Sequence, residues 1–319
     1  MGLAELEAAA RDVYAAMLPT AQHNWPLLSR RARREVWIKH ENHTPIGAFK
    51  VRGGLHLLAR MVARDPGARG VISATRGNHG QSLAFAARLH RMRCVIVVPQ
   101  GNSAGKNAAM KALGAELIEF GRDFDEAREH AATLARGEGL RFVGPFSPEL
   151  VAGVGTYALE LFRAVQNLDT VYVPIGCGSG ICGLIAARDA LGLETAVVGV
   201  VSAGANAYAQ SFATGTLVET ATAETMADGM AVRVPVPAAL EVISRGAARI
   251  IEVTDDEVRA AMLAYFEDAH QLAEGAGAAP LAAALKDGDR AGSRCALILS
   301  GGNIDRAVYA EVLQGGLTA

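Results

Sequence analysis

The chain has 319 residues, of which 50% are hydrophobic and 5% aromatic, and its formal net charge at pH 7 is −2. That balance gives no reason to expect nucleic acid or an anionic membrane as a partner. No apolar run reaches the roughly 18 residues of a membrane helix, and the acidic N-terminus does not have the form of a signal peptide. The 4 cysteines form no CxxC pair, so we expect reduced thiols in a cytoplasmic protein.

Short apolar runs alternate with Ala-rich helical runs along most of the chain. Continuous apolar runs bounded by Gly, Pro and Ser predict buried parallel strands. The predicted strands are VISA (71–74), CVIVVP (94–99), AELIEF (115–120), TVYVPIG (170–176), AVVGVVS (196–202), RIIEVT (249–254) and CALILSGG (295–302). This βαβ order predicts an α/β fold with open, mostly parallel, twisted sheets covered by helices on both faces.

A cluster of Gly and Pro at residues 139–153 predicts a crossing between two lobes, each with its own sheet. We expect a large domain formed by residues 1–44 and 146–319 and a small, mobile domain formed by residues 45–145. A second irregular stretch, residues 213–231, is long for a loop, and long loops are often functional.

Residues 39–54, KHENHTPIGAFKVRGG, run from a strand-like segment through a turn into a helix. Lys50, between Phe49 and Val51, would be partly desolvated at the start of that helix. Desolvation lowers the pKa of a lysine, which suits an amine that forms an imine. Taken alone, the pattern is more typical of a solvated lysine on the surface.

A second candidate site follows the strand that ends at Ala74. The residues Thr75-Arg76-Gly77-Asn78-His79-Gly80 form a turn into a helix. Consecutive backbone N–H groups at a helix N-terminus can bind a carboxylate. A plain helix-capping turn fits the same residues.

A third candidate is the glycine-rich segment at residues 176–180, which follows a buried strand and opens a helix. Glycines let the backbone approach a phosphate closely, and the helix N-terminus supplies N–H donors. Residues 178–183 also fit the dinucleotide fingerprint G-x-G-x-x-G. That fingerprint expects an acidic residue near the end of the next strand, and residues 197–206 contain none. A phosphate site that is not a dinucleotide site is therefore favoured.

Together with Ser300 at the end of the last strand, these motifs resemble the serine/threonine dehydratase family of pyridoxal-phosphate (PLP) enzymes, of the tryptophan-synthase-β type (fold type II). The family's lysine motif is matched by Phe49, Lys50, Arg52 and Gly53, with an alanine where serine is usual. The four motifs follow the family's order along nearly the whole chain. The resemblance implies that Lys50 carries PLP as a Schiff base and, once freed, takes the Cα proton as a general base.

The resemblance also implies which residues bind the cofactor. The expected cofactor contacts are Phe49, Lys50, Asn78, Gly176, Cys177, Gly178, Ser179, Gly180, Glu274 and Ser300. Residues 176–180 would form the phosphate cup, with Cys177 and Ser179 in place of glycines of the commonest form. The hydroxyl of Ser300 would hydrogen-bond the pyridine nitrogen, and a neutral partner there favours β-elimination over transamination.

The expected substrate contacts are Thr75, Arg76, Gly77, Asn78 and His79, which would hold the α-carboxylate. Arg76 replaces the family's Ala or Ser, which disfavours racemisation because racemising members use that serine as a proton donor. Arg76 either binds a second substrate carboxylate or faces solvent. His43 either lines the pocket or caps a turn, and Asp228 is a candidate for the mouth of the site.

The expected activity is elimination of water from, and deamination of, a β-hydroxy amino acid of the L-threonine or L-serine type, giving a 2-oxo acid and ammonia. The alternatives are a dehydratase for 3-hydroxyaspartate or phenylserine, a β-replacement enzyme, a racemase, and a non-catalytic protein that binds amino acid or PLP. Residues 200–211 lack the acidic pair that holds a cation in many members, so no metal is expected. The family's habit suggests a homodimer.

Overall fold

A computed structural model describes residues 1–122 and 124–315, without the side chain of residue 125. The strands are β1 (Gln22–Asn24), β2 (Glu35–His40), β3 (Gly70–Ala74), β4 (Arg93–Val98), β5 (Glu116–Glu119), β6 (Arg141–Phe142), β7 (Thr170–Pro174), β8 (Ala196–Ser202), β9 (Arg249–Val253) and β10 (Arg294–Leu299). The helices are α1 (Leu3–Tyr14), α2 (Pro26–Ala32), α3 (Lys50–Arg64), α4 (Asn78–Leu89), α5 (Ala104–Ala112), α6 (Phe124–Glu138), α7 (Pro148–Ala164), α8 (Ser179–Ala190), α9 (Ala207–Thr214), α10 (Pro237–Gly246), α11 (Asp255–Ala269), α12 (Gly275–Lys286) and α13 (Arg306–Gly315).

The strands form two sheets. One has six strands in the order β1-β2-β10-β7-β8-β9, all parallel except the β1–β2 pair. The other has four parallel strands in the order β5-β4-β3-β6. The predicted α/β fold with mostly parallel sheets is confirmed. None of the helices in the described ranges is long and apolar enough to cross a membrane.

All seven predicted strands are present, with ends that differ by no more than three residues. The apolar character that predicted them is that of buried strands, as in β3, where every residue is buried. The short strands β1 and β6 were not predicted, because two or three polar or exposed residues carry no periodicity. The predicted ends at Gly176 and Gly302 lie in loops after β7 and β10, where the glycines leave the sheet.

The Gly and Pro cluster at 139–153 is only partly the predicted crossing, because α7 already begins at Pro148. Proline fits the first helical position, where its missing N–H costs no hydrogen bond. Ser147 caps the helix by accepting a hydrogen bond from the N–H of Leu150, at 3.2 Å. The division into domains of residues 1–44 with 146–319 and 45–145 stays a prediction.

Helix α3 packs unusually close to α7, through glycines on both helices. A Cβ atom added to Gly153 would lie 2.3 Å from the carbonyl oxygen of Arg52 and 2.9 Å from Cα of Gly53. A Cβ added to Gly53 would lie 3.0 Å from the carbonyl oxygen of Leu150. The spacing of the two helices, and with it the position of Lys50 at the start of α3, therefore requires glycine at this contact.

We predict that Gly153→Ala destabilises the protein by about 1–3 kcal/mol, because the new methyl group meets backbone atoms that cannot move alone. The matched control is Gly137→Ala in α6, where a Cβ would meet nothing within 4 Å. That change should leave stability unchanged or raise it slightly, since alanine is the better helix former. Urea unfolding followed by circular dichroism measures both, and equal stability of the two variants would contradict the close contact.

Candidate active site

The segment that leads into Lys50 is tied to the loop that follows β10. The hydroxyl oxygen of Thr44 accepts a hydrogen bond from the N–H of Ala48 at 2.9 Å, which closes the turn. The N–H of Phe49 donates to the carbonyl oxygen of Ser300 at 2.9 Å, and Ala48 forms an antiparallel bridge with Gly301. Lys50 therefore begins its helix directly beside Ser300.

The amino group of Lys50 lies at the glycine-rich loop. Its Nζ donates to Oγ of Ser179 at 3.0 Å and lies 4.9 Å from the centre of the Phe49 ring. Burial lowers the pKa of Lys50, which favours the neutral, nucleophilic amine. The Oγ atom of Ser82 donates to the carbonyl oxygen of Lys50 at 2.6 Å and ties its backbone to α4.

The glycine-rich loop forms a cradle at the N-terminus of α8. Gly178 has a φ of +93°, a conformation that other residues rarely adopt, and a Cβ on Gly176 would lie 2.2 Å from the carbonyl oxygen of Gly229. The first N–H groups of a helix lack partners within it and can bind a phosphate. The cradle therefore fits the phosphate of PLP. Burial raises the pKa of Cys177, so its thiol stays protonated near neutral pH.

The carboxylate loop, residues 75–79, leads into α4 and contacts segments next to the six-stranded sheet. The N–H of Gly77 donates to Oγ1 of Thr75 at 3.0 Å. The side-chain amide of Asn78 donates to Oε1 of Glu274 at 2.7 Å and accepts from Asn303 at 2.8 Å. Burial, with a further effect of the Lys50 charge, lowers the pKa of His79 to about 3, so its ring is neutral.

Glu274 is a buried acid whose second oxygen has no partner in the described residues. Burial is the main cause that raises the pKa of Glu274 to about 7. Its Oε2 atom and Nε2 of the neighbouring loop's His79 are buried polar atoms without a hydrogen bond to any described residue. Most buried polar atoms in proteins have a hydrogen-bond partner, so these two exceptions call for an explanation. Unpartnered polar atoms beside the glycine cradle and Lys50 fit a site that holds a polar cofactor and substrate.

Two of the predicted residues, Arg76 and His43, lie apart from this cluster, and a third, Asp228, borders it. Arg76 is exposed and makes no hydrogen bond or ion pair with the described residues. His43 is exposed, stacks on His40 with ring centres 4.7 Å apart, and contacts Oε1 of Gln271 at 2.7 Å. Asp228 forms an ion pair with Lys106. The structure therefore joins Asp228 to the carboxylate loop's surroundings, and leaves Arg76 and His43 outside the contacts of Lys50.

A buried network of charges surrounds Arg52 and was not predicted from the sequence. The guanidinium of Arg52 donates to Glu41 at 2.7 and 2.9 Å and to Glu160 at 2.6 and 2.9 Å, and Glu160 also pairs with Lys39 at 2.5 Å. Burial alone lowers the pKa of Arg52, but the two carboxylates raise it overall. The network joins the first turn of α3 to β2 and α7. No sequence signal pairs these residues, which are up to 121 positions apart.

Known proteins with similar sequences identify the class. The chain matches the family of pyridoxal-phosphate dependent enzymes over residues 14–301. It is 33% identical to the L-threonine ammonia-lyase of Thermotoga maritima over 99% of this chain and 79% of that protein. It is 36% identical to the L-threonine ammonia-lyase of Geobacter sulfurreducens over 89% of this chain and 71% of that protein.

A solved structure agrees with the sequence comparisons. The crystal structure of a threonine deaminase from T.th. superposes with a TM-score of 0.90 at 30% identity, over 96% of this chain and 99% of that one. The chain is thus an enzyme that uses PLP as its cofactor. Within that class it belongs to the serine/threonine dehydratase family of lyases, as its motifs predicted.

We predict that Arg52→Met destabilises the protein by about 3–5 kcal/mol, because two buried carboxylates lose their shared cation. The control is Arg259→Met, which removes the exposed partner of the exposed Asp256 and should cost less than about 1 kcal/mol. Unfolding midpoints in urea measure both. A loss for Arg52→Met no larger than that of the control would contradict a stabilising role for the network.

The raised pKa of Glu274 predicts a pH-dependent effect of Glu274→Gln in the cofactor-free protein. Since the carboxyl group has a higher pKa folded than unfolded, its contribution to stability falls as pH rises from about 4.5 to about 7. Glutamine has no such loss, so the variant should gain about 1–3 kcal/mol relative to the unchanged protein over that range. Glu241→Gln, at an exposed position, is the control. A difference that does not vary with pH would contradict the prediction.

Proposed function

We propose that this enzyme eliminates water from L-threonine or L-serine and releases ammonia and a 2-oxo acid. The observation that carries the proposal is the position of Lys50 Nζ, 3.0 Å from Oγ of Ser179 at the glycine cradle and at the end of the segment bound to Ser300. The names of the relatives, L-threonine ammonia-lyase and threonine deaminase, support the substrate class.

The cofactor, when bound, supplies an electron sink that makes the Cα–H bond of an amino acid acidic. We assign its phosphate to the backbone N–H groups at the start of α8 and to Ser179. Asn78 is assigned to the phenolic oxygen of the ring and Ser300 to its pyridine nitrogen. The Ser300 hydroxyl is neutral, so it does not hold the pyridine nitrogen protonated as a carboxylate would. A moderate electron sink favours elimination over transamination.

The protein's own part in the reaction is to orient the substrate and move protons. Residues 75–79 would hold the α-carboxylate with backbone N–H groups and the amide of Asn78. Burial lowers the pKa of Lys50, which favours the free amine that takes the Cα proton. Loss of that proton from Cα and of hydroxide from Cβ together amounts to loss of one water molecule. The ring of His79 is neutral, so it offers the loop a polar contact without adding a positive charge.

The alternative substrates receive less support. A second substrate carboxylate was one expected ligand of Arg76, but Arg76 is exposed and has no hydrogen bond or ion pair with the described residues. Arginine at this position also lacks the hydroxyl that racemisation would need as a proton donor. For assembly and location we propose a cytoplasmic homodimer, on the resemblance and on the four free cysteines, three of them buried. The small domain of residues 45–145 is proposed to be the mobile one.

The proposal is tested with Lys50→Ala, using release of 2-oxo acid from L-threonine, L-serine, both 3-hydroxyaspartates and phenylserine. Loss of the general base should reduce turnover of the best substrate by a factor of about 10²–10⁴. Borohydride reduction followed by peptide mapping should attach the cofactor to the peptide that contains Lys50 and to no peptide of the variant. The control is Lys111→Ala, which removes an exposed lysine of α5.

Activity retained by Lys50→Ala, or cofactor attached elsewhere, would overturn the assignment of Lys50. A preference for 3-hydroxyaspartate or phenylserine over threonine would keep the reaction and replace the proposed substrate.

A further inference from the structure

Lys106, at the start of α5, lies directly over the predicted carboxylate loop. A Cβ atom added to Gly77 would lie 2.5 Å from Cδ and 3.2 Å from Cγ of Lys106, so the alkyl stem of the lysine rests on this glycine. The residue is 9% exposed. The ammonium group forms an ion pair with Asp228, in the 3-10 turn Asp228–Met230.

The Lys106–Asp228 pair connects the loop assigned to the substrate carboxylate with the glycine cradle assigned to the cofactor phosphate. On one side, Lys106 contacts Gly77 in the carboxylate loop. On the other, the residue after Asp228, Gly229, places its carbonyl oxygen against Gly176 in the glycine cradle. A substrate whose carboxylate lies in the first loop and whose amine joins the cofactor at Lys50, beside the cradle, therefore has the pair as a neighbour of its side chain.

More acidic groups than basic groups surround the pair. Burial lowers the pKa of Lys106, but Asp228, Glu274 and Asp305 together raise it above its ordinary value, so the lysine remains an ammonium. One ammonium thus faces three acidic groups, of which Glu274 has a pKa of about 7. Asp305 also accepts a hydrogen bond from Oγ of Ser103 at 2.8 Å.

The two partners also differ in how much of each reaches the open side. The side chain of Asp228 is 41% exposed, whereas that of Lys106 is 10% exposed. An arriving ligand therefore meets the carboxylate before the ammonium. Like charges at close range disfavour each other, and the effect is stronger where water is partly excluded.

We propose that the Lys106–Asp228 pair is a specificity filter, in which Asp228 neutralises Lys106 and excludes amino acids that carry a second carboxylate. The inference rests on the proposed function, since it concerns the side chain of the same substrate. It assigns the choice between threonine and 3-hydroxyaspartate to this pair and not to Arg76. The filter acts by removing an available cation and by repulsion, which are both means of discriminating against a wrong ligand.

The first experiment compares kcat/KM for L-threo-3-hydroxyaspartate with kcat/KM for L-threonine, as a ratio, in the loaded enzyme. Asp228→Asn keeps the shape of the side chain and leaves the ammonium of Lys106 available. The ratio should rise at least about tenfold, which corresponds to about 1.4 kcal/mol. Lys106→Met removes the ammonium and keeps the stem on Gly77, and here the ratio should fall below that of the unchanged enzyme. The double variant should lose the gain.

The control for net charge is Asp189→Asn at the far end of α8, where an exposed aspartate pairs with Arg188. Its ratio should equal that of the unchanged enzyme. A ratio for Asp228→Asn within twofold of that control would overturn the filter, and so would a rise caused by Lys106→Met. Because the ratio is expected to rise in Asp228→Asn and to fall in Lys106→Met, either variant tests the proposal if the other folds poorly.

A binding measurement separates failure of the filter from failure of the proposed function. L-aspartate and L-asparagine have nearly the same shape and differ in side-chain charge. Neither has a β-hydroxyl group, so binding is measured without elimination of water. Their dissociation constants are measured from the change in cofactor absorbance on binding. Asp228→Asn should tighten aspartate relative to asparagine at least about tenfold. If the unchanged enzyme binds both but dehydrates neither threonine nor serine, the proposed reaction is wrong, while this ratio still decides the role of Asp228.

Discussion

The position of Lys50 depends on a buried guanidinium two residues further along the chain. Arg52 is completely buried and joins Glu41, at the end of β2, to Glu160 on α7. A buried charge is costly unless it is paired and its hydrogen-bond donors are satisfied, and here both carboxylates meet it with two hydrogen bonds each. These bonds fix the first turn of α3 relative to β2 and α7. Because Lys50 begins that turn, its position is fixed as well.

The site itself lies where the loops after several parallel strands converge. Ser300 follows β10, the glycine cradle follows β7, and the carboxylate loop follows β3, which belongs to the other sheet. Parallel strands bring their carboxyl ends to one edge, which is where open α/β sheets bind ligands. The hydrogen bonds of Asn78 with Glu274 and Asn303 connect the loop after β3 to segments near the larger sheet. The residues of the candidate site therefore come from loops of both sheets.

The electrostatic environments of Lys50 and Lys106 differ. At Lys50, burial lowers the pKa of the lysine, and burial also keeps the ring of His79 neutral. At the mouth, Lys106 is held by Asp228 and stays charged. The pKa values of the two lysines therefore shift in opposite directions, because burial dominates at Lys50 while nearby carboxylates outweigh burial at Lys106.

The fold class, the strands and the cofactor family could be predicted from the residues alone, because continuous apolar runs and glycine-rich turns reflect local structure. The sequence also named Lys50, Asn78 and Ser300, which the structure brings together. It did not reveal the ion pairs of Arg52 and Lys106, since their partners lie up to 122 residues away and ordinary charged residues carry no local signal. The sequence pattern also did not show whether Arg76 faces the pocket or solvent; in the folded protein this side chain is exposed, and Lys106 covers the loop. Long-range packing sets burial, and burial decides which charges reach a substrate.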